Sequence, residues 1–102
     1  MNYFFERWSI FFVPANEKLD LDLFYLCGYN LYEMEMRCYE IPFTAKNISN
    51  DCILFEDGVK LHLKGNSMFS EETVKLWEVF CQEHKIEKWM LVWDFFVPTI
   101  PG

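Results

Sequence analysis

The stretch that decides the fold is Cys52-Ile53-Leu54-Phe55-Glu56-Asp57-Gly58-Val59-Lys60-Leu61-His62-Leu63-Lys64. Two apolar-rich runs, Cys52 to Phe55 and Val59 to Leu63, flank Asp57-Gly58, the dipeptide favoured by a tight type I′ hairpin turn. On the return run Val59, Leu61 and Leu63 point inward, while Lys60, His62 and Lys64 point out.

Upstream, Tyr3 to Val13 reads as a long strand. Strict alternation puts Phe4, Trp8, Ile10 and Phe12 on one face and Phe5 and Phe11 on the other. Pro14 stops it, because proline cannot continue a ladder. Leu19 to Leu26 supports two readings. Leu19, Leu21 and Leu23 alternate with Asp20 and Asp22, which is the favoured strand pattern. Leu19, Leu23, Leu26 and Cys27 also fit a helical stripe. A turn at Gly28-Tyr29-Asn30 leads to a strand from Leu31 to Ile41. Tyr32, Met34, Met36 and Cys38 lie on one face of it, with Glu33, Glu35 and Arg37 on the other. Pro42 ends that strand, and residues 45–51 form a polar loop.

Downstream, Ser70 is a helix N-cap followed by Glu71 and Glu72, where acidic side chains suit the helix dipole. Val74, Trp77, Phe80, Cys81 and His84 recur at helical spacing. The helix runs over about 70–85. A last strand, Lys88 to Val97, is apolar on both faces and belongs inside a sheet. Residues 98–102 form a loose tail. The expected fold is α+β: a mostly antiparallel, twisted sheet of five to six strands with one amphipathic helix on one face. The order is β-β-β-β-β-α-β, in a single domain over residues 1–102.

The 102 residues include 11 Phe, 5 Tyr and 4 Trp. That is more large apolar surface than a small domain hides easily, and Trp and Tyr concentrate at interface centres. The net charge of −7 disfavours direct binding to nucleic acid, which needs clustered Lys and Arg. It suits a basic protein partner. No apolar run approaches the length of a membrane span. The N-terminal segment lacks the form of a secretory signal. Four separated cysteines without a C-x-x-C pair then read as reduced thiols of a cytoplasmic protein.

No motif specifies chemistry. Cys81 and His84 share a helix face, but zinc wants four ligands and their stripe faces the core. Cys38 or Cys52 with His62 lacks any supporting catalytic pattern. No metal, cofactor or catalytic residue is expected. Asp20, Asp22, Glu33 and Glu35 would meet on one acidic surface if their strands pair. With Tyr29, Tyr32 and Trp93 as aromatic anchors, they form the expected partner-binding set. The reading is a small protein-binding module without catalysis. Its expected role is stoichiometric inhibition, as an immunity protein, an antitoxin or a phage-encoded inhibitor of host defence. The alternatives are a homodimerising or homo-oligomeric structural subunit, or a domain with an aromatic-lined pocket for a small ligand.

Overall fold

A computed structural model describes residues 1–15, 20–65 and 70–92. Its elements are β1 (Asn2–Val13), β2 (Leu23–Asn30), β3 (Glu35–Cys38), β4 (Ile48–Ser49), β5 (Cys52–Leu54), β6 (Lys60–Lys64), α1 (Glu71–His84) and β7 (Met90–Val92). Among the described residues the fold is α+β, with one sheet of seven strands and one α-helix. The main path runs β3-β2-β1-β6-β5-β4, and β7 pairs with β1 beside Ile10 to Phe12.

The sheet is mixed. β1 and β6 are parallel, pairing Asn2 with Lys60 through Glu6 with Lys64. The expected mostly antiparallel sheet is thus met only in part, because this central pair is parallel. The chain leaves β3 at one edge, crosses to β4 and β5, and returns to the centre as β6. A 3-10 turn (Ala45–Asn47) and the short β4 occupy what reads as polar loop in the sequence.

The hairpin of residues 52–64 is present, with Ile53 opposite Leu61 and Cys52 opposite His62. Its turn holds three residues rather than two. Gly58 N–H donates to Phe55 O, and Phe55 N–H to Val59 O. Gly58 takes the left-handed conformation, φ 92°, which the longer hairpin loop places on glycine.

β1 does not keep one parity. Glu6 pairs with Tyr29 and Ser9 with Cys27, so Arg7 and Trp8 together oppose Gly28. Arg7 sits at φ 49°. This β-bulge inserts one residue and switches the faces. Phe5 consequently joins Trp8 and Ile10 in one core, with Leu26, Phe43, Ile53, Leu61 and Leu63. Tyr39, Ile48 and Phe55 pack against that core. Phe4 falls on the opposite face and stays exposed, stacked on His62 at 4.5 Å.

The helix covers the other face. Ser70 Oγ accepts from Thr73 N–H at 3.1 Å, and Lys85 closes the helix in the left-handed conformation. Thr73, Trp77, Phe80 and Cys81 are buried against Phe11, Val13, Tyr25 and Cys27. His84 is exposed rather than core-facing; its ring stacks on Phe80, with Nδ1 3.0 Å from Phe80 O. Burial pushes the Cys81 thiol up to about 11 and raises Tyr25 beside it.

Cys27 and Cys38 form a disulfide, which overturns the reading of four reduced thiols. They sit directly opposite across β2 and β3. Tyr39 N–H donates to Leu26 O at 2.8 Å, so the cysteines occupy the neighbouring, non-hydrogen-bonded position where side chains approach most closely. The bond staples a four-residue edge strand to the sheet. Reduction should therefore speed amide exchange at residues 35–38 well before it affects β1 or β6. Unchanged exchange at β3 in reductant would contradict the staple.

Candidate protein-binding site

The turn Leu31 to Met34 between β2 and β3 is built around one buried side chain, Asn30. Its Oδ1 accepts from Tyr32 N–H (2.8 Å) and Glu33 N–H (3.1 Å), and its Nδ2 donates to Glu33 Oε1 (3.2 Å). Asparagine suits this place because its short amide substitutes for a backbone turn partner. Met34 N–H donates to Asn30 O, and Met34 takes φ 59° to close the turn. Leu31 N–H donates to Phe4 O, which ties the turn to β1.

The fixed backbone displays large side chains to solvent. Tyr32 is 73% exposed and Met34 is 67% exposed. Tyr32 meets Tyr3 edge-on at 5.8 Å. Tyr29 is half-buried and carries the Arg7 guanidinium 4.8 Å above its ring. Arg37 pairs with Glu33 and lies 3.6 Å from Glu35. The acids here are thus partly neutralised and held in place. A cavity of about 310 Å³ opens beside them, lined in part by Phe5, Tyr39, Glu40 and Ile41. Burial raises the Tyr39 hydroxyl, with smaller contributions from Tyr3 and Asp57.

Of the expected partner-binding residues, the structure brings Tyr29, Tyr32, Glu33 and Glu35 together at this end of the sheet. Asp20 and Asp22 lie before β2, at its opposite end. The eight residues of β2 separate the two groups by about 23 Å, so no four-acid surface forms. Asp22 Oδ1 instead accepts from Ala15 N–H at 2.8 Å, bracing the β1–β2 connection. Trp93 lies outside the described residues. Asn30, Arg37 and Glu40 were not singled out from sequence. The only available signal was an asparagine three residues before an acid at a strand end.

The other sequence candidates are also placed. Cys81 is buried in the helix–sheet core while His84 turns back onto its own helix. Among the described residues, no group of three or more His, Cys, Asp or Glu is arranged to hold a metal ion. Cys38 is in the disulfide. Cys52 faces His62 across the hairpin, but burial raises its thiol, and His62 Nε2 lies 2.9 Å from Asn2 Oδ1. No helix among the described residues is long and apolar enough to cross a membrane. Comparisons with family models, curated proteins and solved structures returned no match.

Proposed function

We propose that this protein is a protein-binding module whose contact surface is the β2–β3 turn and the edge strand beside it. The observation that carries this reading is the exposure of Tyr32 and Met34 on a turn that Asn30 holds rigid. Exposed large side chains normally cost order when they bind. Ordering the loop backbone is a further cost, and a prepinned turn avoids that part. Aromatic residues and Met are also the types enriched in interface centres.

The expected partner is a basic protein. Glu33, Glu35 and Glu40 rim the surface, and the chain as a whole carries −7, so approach of a positive partner is favoured. A module of this size that occupies a basic enzyme's surface acts as a stoichiometric inhibitor, of the immunity, antitoxin or anti-defence type. The test is affinity capture from a lysate of the encoding organism at low and moderate salt, followed by light scattering of the recovered complex. One basic protein in a 1:1 complex, released as salt rises, supports the reading. Recovery of the bait alone as a discrete oligomer contradicts it.

Tyr32→Ala should weaken that complex by about tenfold or more, a typical loss for an exposed aromatic anchor. Its thermal midpoint should match the parent, because the side chain contributes little to either core. Unchanged affinity would place the contact surface elsewhere.

A further inference from the structure

We propose that the cavity beside the turn receives an arginine side chain from the partner; this rests on the protein-binding reading above. The cavity holds about 310 Å³, the lower end of the range for ligand pockets and suited to one side chain rather than a cofactor.

Its lining has the two chemistries an organic cation requires. Half-buried Tyr39 supplies the aromatic wall, backed edge-to-face at 6.5 Å by the buried Phe5 ring, and Ile41 adds aliphatic surface. Glu33 and Glu40 supply carboxylates. Arg37 also lines the cavity, but it is engaged by Glu33 and by Glu35. Glu33 is in turn occupied on both oxygens, by Arg37 and by the Asn30 amide. Glu40 is exposed, and among the described residues no ion pair engages it. The two carboxylates against one guanidinium leave the lining with a net negative charge, increased by the adjacent Glu35. A planar guanidinium fits this combination better than an ammonium, because it stacks on aromatic faces while its N–H groups reach a carboxylate. The apolar wall accommodates the methylene stem.

The experiment is a titration of the intact, disulfide-bonded protein with Nα-acetyl-L-arginine amide, followed by amide chemical shifts. Saturable shifts at residues 39–41 are expected. Nα-acetyl-L-norleucine amide, which keeps the stem and lacks the charge, should produce none that saturate. Glu40→Gln should weaken the arginine probe about threefold, in line with one solvent-exposed charge pair. Glu87→Gln, remote in the chain and exposed, should leave it unchanged. Absence of saturable shifts, equal response to norleucine amide, or indifference to Glu40→Gln would each overturn the assignment. If a protein partner is captured while the titration fails, the pocket assignment alone falls. If the titration succeeds and no partner is captured, the protein-binding reading falls and the cation site stands.

Discussion

Truncating Trp77 to alanine should remove about 3–5 kcal/mol of folding stability. A typical domain has only about 5–15 kcal/mol in total, so the variant should be largely unfolded in mild denaturant. Trp77 is fully buried at the centre of the helix–sheet core. Its ring stacks on Phe11 at 4.6 Å and on Phe80 at 5.5 Å, and meets Tyr25 at 5.3 Å. Nothing in such a packed layer can collapse to refill the space. Trp77→Phe should cost much less. Among the described residues no acceptor meets the buried indole N–H, so phenylalanine loses volume but also removes an unsatisfied donor. Guanidinium denaturation of the two variants checks this. A loss under about 1 kcal/mol for Trp77→Ala would mean that α1 does not dock on this face.

Gly28→Ala should cost about 3 kcal/mol, at the upper end of overpacking effects. A Cβ at Gly28 would lie 2.8 Å from Trp8 Cα and 2.9 Å from Trp8 Cβ. The obstructing atoms belong to the bulged strand itself, so relief requires β1 to move rather than a side chain to rotate. Gly28 has no unusual φ, and its requirement is for space. Gly58 makes the contrast. A methyl group added there would meet nothing within 4 Å, but its φ is +92°, so Gly58→Ala should cost only the left-handed penalty of about 1–2 kcal/mol. Equal losses at the two positions would remove the argument for close approach at the bulge.

The bulge also shows why sequence reasoning reached only part of the fold. The 52–64 hairpin and the helix from Glu71 were legible because their signals are local: a turn dipeptide, an N-cap and two clean periodicities. The face switch in β1 was not legible. It depends on Gly28, 20 residues away, leaving room for Arg7 and Trp8 to share one partner position. The parallel pairing of β1 with β6 is likewise a long-range choice. The favoured strand reading of Leu19 to Leu26 holds from Leu23, where β2 begins, but not at Asp20 to Asp22. The turn falls at residues 31–34 rather than at 28–30, so β2 runs on to Asn30 and leaves Asp20 and Asp22 at the far end from Glu33 and Glu35. That Tyr29, Tyr32, Glu33 and Glu35 gather at one end of the sheet was recoverable because they are close in sequence, on or beside one turn. The disulfide was missed because the cysteines were read as reduced from the form of the N-terminal segment, whereas their pairing follows from the β2–β3 register, which begins at Asn30 and Glu35.

The proposed contact surface is the β2–β3 turn. Its most direct test is quantitative affinity capture with the parent chain and the Tyr32→Ala/Met34→Ala double variant side by side, with both baits first shown to melt at the same temperature. One basic protein should be recovered by the parent at low salt and lost, or reduced at least about tenfold, with the double variant. Equal recovery of the same protein by both baits would move the contact surface away from the turn.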